Sequence, residues 1–163
     1  MTSEALNKLR AGILGANDGI ISVATTLIAI LGVFGNKEIA VIAGAVLIAG
    51  AISMAAGEYV SVSAHVNHEE ESEHALSDWA AVHAAVASFF AFLAGGLIPA
   101  LAAIVFHSVL AVVIISFVLL GITGYISSGK GGHIRSVTKL TLVGILAFGV
   151  SYGINLFLQT LGI

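Results

Sequence analysis

The sequence is dominated by apolar runs that are longer than the core of a soluble domain requires. Between Trp79 and Ile126 the chain is apolar almost throughout. Three other long apolar runs occupy residues 11–34, 39–64 and 140–161. A helix needs about 20 apolar residues to cross the hydrocarbon core of a bilayer. The runs therefore predict membrane-spanning helices.

The composition supports a lipid environment and excludes several classes of protein. Of the 163 residues, 58% are hydrophobic and 9% are charged, with a mean hydropathy of +1.08; a soluble domain carries about 25% charged residues. The net charge is −3 and no basic stripe is present, so no nucleic-acid partner is expected. The absence of cysteine excludes disulfides and thiolate metal sites. No nucleophile triad or nucleotide-binding motif suggests an enzyme.

The apolar runs predict an all-α integral membrane protein with five transmembrane helices in a single domain, residues 1–163. The long run between Trp79 and Ile126 is sufficient for two spans, and Gly95, Gly96 and Pro99 are the expected breakers between them. The predicted spans lie near residues 11–34, 39–64, 79–98, 107–126 and 140–161, and residues 65–78 form a polar loop. The first run is too long for the apolar region of a signal peptide, which is about 7–15 residues.

The basic residues predict the orientation of these spans, because cytosolic segments are enriched in lysine and arginine. Five spans place the termini on opposite sides of the membrane. With a cytosolic N-terminus, five of the six basic residues lie in cytosolic segments. These are Lys8, Arg10, Lys130, Arg135 and Lys139, against Lys37 alone on the other side. The polar loop 65–78 is then cytosolic as well.

We expect single cysteines introduced at Lys130 and Asn36 to react with an impermeant thiol reagent from opposite sides of the membrane. The chain has no native cysteine, so each variant carries one reactive thiol. Labelling is measured in intact and permeabilised cells. Labelling of both positions from the same side would contradict five spans.

Two acids, Asp18 and Glu58, lie inside the predicted first and second spans. Ionisable residues within a span cost about 2.5–3.5 kcal/mol on insertion scales, so they indicate a function. The two acids are expected at similar depth near the cytosolic side. Met54 lies one helical turn from Glu58 on the same face. Asn17 adjoins Asp18, and its amide oxygen is expected to join the two acids. Carboxylate and amide oxygens with a thioether favour a transition metal. The alternative is that an acid near a helix end reaches headgroup water.

The loop after the second span is rich in side chains that bind metals. Imidazole and carboxylate groups suit Fe²⁺, Mn²⁺ or Zn²⁺. The candidate ligands are His65, His68, Glu69, Glu70, Glu71, Glu73 and His74. The alternative is a solvated acidic loop that tolerates histidines. Glycines on the first span, Gly12, Gly15 and Gly19, allow a close helix contact, either within the chain or with a second copy.

Four segments together resemble the vacuolar iron transporter family. They are "LRAGILGANDGIISVATTLIAILGV", "AGAISMAAGEYVSVSAH", "DWAAVHAAVASFFAFLAGGLIPAL" and "GYISSGKGGHIRSVTKLTLVGILAFGVSYGINLFL". The resemblance implies a five-helix homodimer that moves Fe²⁺ out of the cytosol in exchange for protons, with no prosthetic group. It places Asp18 and Met54 on the metal path. It also implies the plasma membrane in a prokaryote and the vacuolar membrane in a eukaryote.

The sequence departs from the plant members of that family in two places. Those members carry a glutamate two turns before the methionine, at a position that falls near Val46 in this chain; Glu58 is the expected substitute. They also insert a glutamate-rich metal-binding domain where this chain has only the loop 65–78. Manganese or zinc as the substrate remains open. Two other classes of function also remain open: a membrane metal sensor or scaffold, and an uncoupled cation channel.

Overall fold

The computed structural model describes residues 3–68, 79–129 and 131–162, with side chains of the first range described up to residue 64. It contains five helices, and none of the described residues forms a β-strand. The helices are α1 (Ser3–Ile30), α2 (Asn36–His68), α3 (Ala80–Phe106), α4 (Val109–Ser127) and α5 (His133–Thr160). All five are long and apolar enough to cross a membrane. The prediction of an all-α integral membrane protein with five spans is confirmed.

The expected break between the third and fourth spans is wrong in position. Gly95, Gly96 and Pro99 lie inside α3, which continues to Phe106. The helix ends instead at His107, whose backbone is left-handed with φ 45°, and Ser108 then begins α4 by accepting a hydrogen bond from the amide of Ala111. Membrane helices tolerate glycine and proline in their interior because neighbouring helices compensate for the lost backbone contacts.

The glycines of α1 and α3 bring these two helices into backbone contact, and α1 packs more extensively against α3 than against any other helix. A Cβ on Gly15 would lie 2.5 Å from the carbonyl oxygen of Ser88. A Cβ on Gly19 would overlap the carbonyl oxygen of Phe92, and one on Gly95 that of Ala16. Small residues permit this approach, which larger side chains would prevent. The glycine face of α1 is therefore buried within the chain.

We expect Gly19→Ala to destabilise the protein by about 1–3 kcal/mol, because the added methyl group must displace the backbone of α3. The measurement is the thermal unfolding midpoint of detergent-solubilised protein. Gly12→Ala is the matched control, because nothing lies within 4 Å of a Cβ at that position on the same helix. Equal midpoints for the two variants would contradict the close α1–α3 contact.

At the C-terminal end of α1, the buried side-chain amide of Asn155 fixes the helix to α5. Asn155 is 1% exposed, and its side-chain Nδ2 donates to the carbonyls of Ala29 and Leu31. The side chain of Gln159 donates in turn to Asn155 Oδ1 at 2.9 Å. These bonds satisfy carbonyls at the C-terminal end of α1, which have no partner within their own helix. The C-terminal end of α1 is therefore held by α5, and its middle by α3.

Candidate metal site

A cavity of about 490 Å³ lies against α1, α2 and α3, and the acids predicted from the sequence line it. Asp18 comes from α1, whereas Met54 and Glu58 come from α2. The remaining lining residues are Leu14, Ser22, Val46, Ala49, Gly50, Ser53, Gly57 and Phe92. Most of these positions recur at intervals of three or four within their helix, which is the spacing of residues on one helical face. The structure therefore brings the three predicted intramembrane residues to one cavity.

Asp18 is partly buried on the α1 wall of the cavity. Its Oδ1 accepts a hydrogen bond of 3.1 Å from the hydroxyl of Ser22, which is one turn further along α1. Ser22 lines the same cavity. This bond orients the carboxylate while leaving Oδ2 without a hydrogen bond among the described contacts. Asp18 can therefore offer oxygen atoms to a cation in the cavity.

Glu58 is more deeply buried than Asp18, with only 5% of its side chain exposed, and it forms an ion pair. Its Oε2 lies 2.8 Å from Nη2 of Arg10 on α1. From the sequence, Arg10 indicated only the orientation of the spans, and its contact with Glu58 was not predicted. A buried carboxylate is rarely left unpaired, and Arg10 lies two turns before Asp18 on the helix that carries the other acid. The spacing of about two helical turns between Arg10 and Asp18 was the signal in the sequence that Arg10 lies near the acids.

Met54, Val46 and Gly50 are apolar residues of α2 that line the cavity. Met54 is partly buried one turn before Glu58 and lines the cavity. Val46, near which the resemblance places the glutamate of the plant members, also lines the cavity. The ring of Phe92 occupies the space beside Gly50, where a Cβ would overlap it. A carboxylate at position 46 would therefore face the same space as Asp18.

Asn17 does not face this cavity, although it adjoins Asp18 in sequence. Successive residues of a helix point about 100° apart. Asn17 lines a second cavity, of about 460 Å³, together with Leu9, Arg10 and Ile13. Its Oδ1 is buried and accepts no hydrogen bond from the described part of the chain. The expectation that its amide oxygen joins the two acids is therefore wrong within this chain.

Most of the predicted loop site lies outside the described residues. Glu69, Glu70, Glu71, Glu73 and His74 belong to the range 69–78, and the side chains of His65 and His68 at the end of α2 are not described either. The metal-binding role of the loop stays a prediction. Among the described residues, no three histidine or acidic side chains form a group that could hold a metal ion. One chain thus contributes two carboxylates and a thioether to the cavity.

Five spanning helices, with a cavity against α1, α2 and α3 that is lined by two carboxylates, define a polytopic membrane protein with acidic residues within its spans. The VIT family model matches residues 9–78 and 65–156. The chain belongs to the VIT family. The resemblance inferred from the four sequence segments is confirmed.

Curated relatives align over nearly the whole chain. The chain is 35% identical over 175 residues to "Vacuolar iron transporter homolog 5" of Oryza sativa subsp. japonica, covering 96% of this chain and 83% of that protein. It is 33% identical over 172 residues to "Vacuolar iron transporter homolog 2" of Arabidopsis thaliana, covering 95% and 86%. It is 37% identical over 166 residues to the rice homolog 2, covering 90% and 88%.

Proposed function

We propose that this protein is a transporter of divalent transition metal ions, with Fe²⁺ as the principal substrate, and that the ion passes through the cavity between α1 and α2. The observation that carries the proposal is that Asp18, Met54 and Glu58, from two different helices, line one cavity. The printed names of the relatives, vacuolar iron transporter homologs, support iron as the substrate. In a eukaryotic cell those names also favour the vacuolar membrane.

The donor atoms in the cavity suit a first-row transition metal. The carboxylates of Asp18 and Glu58 supply hard oxygen donors, and the thioether of Met54 supplies a soft donor that Ca²⁺ and Mg²⁺ do not favour. Ser22 and Ser53 also line the cavity, and their hydroxyls are further candidate oxygen donors. Mn²⁺ and Zn²⁺ are compatible with the same donors, and a comparison of their fluxes determines the preference.

We assign proton exchange to Asp18, because the oxygens of a carboxylate can bind either a proton or a divalent cation. Glu58 is paired with Arg10, whereas Asp18 forms no ion pair among the described residues, and a divalent cation that binds Asp18 displaces its proton. Release of the metal on the far side allows the carboxylate to take up a proton there. This cycle exports metal from the cytosol in exchange for protons. It assumes the predicted orientation of the protein, in which the N-terminus is cytosolic.

A second copy of the chain completes the ligand shell in this proposal, because one chain supplies few ligands. The glycine face of α1 cannot pair with that copy, since Gly15 and Gly19 are buried against α3. Gly57 lines the cavity, and nothing lies within 4 Å of a Cβ at that position. The α2 side of the cavity is therefore the face where the homodimer contact is expected.

We expect Asp18→Asn and Glu58→Gln each to abolish metal movement, because an amide lacks the negative charge with which a carboxylate binds a divalent cation. Neither change should prevent folding, because removing a charge within a span lowers the insertion cost. The measurement is uptake of Fe²⁺, Mn²⁺ and Zn²⁺ into proteoliposomes with and without a pH gradient, after size-exclusion chromatography. Glu38→Gln is the matched control, since Glu38 is an exposed acid at the start of α2.

Three results would contradict parts of this proposal. Wild-type flux through folded Asp18→Asn or Glu58→Gln protein would exclude these carboxylates from the path. Flux that follows the membrane potential and ignores the pH gradient would favour an uncoupled cation channel. Metal binding by wild-type protein without any flux in sealed vesicles would favour a sensor or scaffold.

We expect simultaneous replacement of the seven loop candidates by serine or glutamine to raise the half-saturating metal concentration several-fold, with a smaller effect on the maximal rate. The physical reason is that clustered acids and histidines raise the local cation concentration at the cytosolic entrance. The variant is assayed in the same proteoliposomes. Unchanged transport at low metal concentration would identify the loop as a connector.

A further inference from the structure

The Arg10–Glu58 ion pair places a covalently tethered cation at the cavity in which we propose that metal binds. The guanidinium Nη2 is 2.8 Å from Glu58 Oε2, and that carboxylate is 5% exposed. A divalent cation that binds Glu58 and the guanidinium therefore compete for the same carboxylate. A tethered group competes at a high effective concentration, which a free ion must overcome.

We propose that Arg10 acts as an intramolecular competitor that holds Glu58 until a divalent cation displaces it, and that this competition excludes monovalent cations from the cavity. The inference rests on the proposed function, since it assumes that the cation binds Glu58. A monovalent ion offers the carboxylate the same charge as the guanidinium, and it gains little by displacing a tethered group. A divalent ion offers twice the charge, and the Coulomb attraction grows in proportion.

The surroundings of Arg10 give its side chain a place to move. Its side chain is 53% exposed, in contrast to its nearly buried partner. The same Nη2 lies 3.3 Å from Oδ1 of Asn7, on the turn of α1 that precedes it. Arg10 also lines the second cavity, of about 460 Å³, together with Leu6 and Asn17. The guanidinium can therefore leave Glu58 for Asn7 and the second cavity without crossing a packed helix contact.

The first test measures the affinity of the detergent-solubilised full chain for Mn²⁺, from the electron paramagnetic resonance signal of the free ion. Arg10→Gln should bind Mn²⁺ about fivefold more tightly than wild type, the change expected for removing a partly exposed ion pair. Lys8→Gln is the matched control, because it removes the same charge from the same helix while Lys8 is paired with Glu4 at 3.7 Å. It should leave the affinity unchanged.

The variant Glu58→Gln separates failure of this inference from failure of the proposed function. In its background, Arg10→Gln should no longer tighten Mn²⁺ binding. If Glu58→Gln weakens binding but Arg10→Gln leaves it unchanged or weaker, Arg10 is not a competitor and the proposed metal site stands. If Glu58→Gln has no effect on binding, the cavity is not the metal site and both proposals fail.

Selectivity provides an independent readout. With ionic strength held constant, replacing N-methylglucamine by Na⁺ should leave Mn²⁺ binding to wild-type protein unchanged. The same replacement should weaken Mn²⁺ binding to Arg10→Gln, because the free carboxylate then accepts Na⁺. Equal sensitivity of the two proteins to Na⁺ would contradict the exclusion of monovalent ions.

The wild-type protein permits a test that does not depend on the folding of any variant. Arg10 and Arg135 are the two arginines of the sequence, so mass spectrometry can follow phenylglyoxal modification of each separately. Saturating Mn²⁺ should increase the modification rate of Arg10, since its guanidinium leaves Glu58, and Arg135 should serve as the unchanged internal standard. An unchanged Arg10 rate under conditions where Mn²⁺ is bound would overturn the proposal.

Discussion

The close contact between α1 and α3 determines which face of α1 is left to form the cavity. Gly15 and Gly19 lie against the backbone of α3, so this side of α1 is fully occupied. Asp18 lies on the adjacent face, since successive residues of a helix are rotated by about 100°. That face points to the cavity lined by α2. The position of Asp18 on the cavity wall thus depends on the contact that Gly15 and Gly19 make with α3.

The two acids are accommodated in different ways, and the difference has consequences for function. Asp18 accepts a hydrogen bond from Ser22 and stays partly accessible, whereas Glu58 is buried and paired with Arg10. Leaving the buried carboxylate of Glu58 without a cationic partner is unfavourable. A divalent cation that takes the place of Arg10 avoids this cost because it keeps Glu58 compensated. The ion pair is therefore compatible with exchange of one cation for another.

The number of helices and the main cavity residues could be predicted from the sequence because both follow from simple periodicity. Each span needs a long apolar run, and Met54 and Glu58 share a face at a spacing of four residues. The prediction that the third span ends at Gly95 to Pro99 was wrong because a membrane helix tolerates these residues when a neighbouring helix packs on them. The Arg10–Glu58 pair and the direction of Asn17 depend on how α1 and α2 are rotated against each other. That rotation is set by tertiary packing and does not follow from local pattern.

Anomalous diffraction from crystals of the full chain grown with Mn²⁺ tests most directly whether the cavity between α1 and α2 is the metal site. The proposal predicts an anomalous peak inside this cavity, about 2.0–2.5 Å from carboxylate oxygens of Asp18 and Glu58, with the sulfur of Met54 facing it. The peak should be absent from crystals of Glu58→Gln. Anomalous peaks confined to the segment 65–78 or to the protein surface, with none in the cavity, would contradict the account.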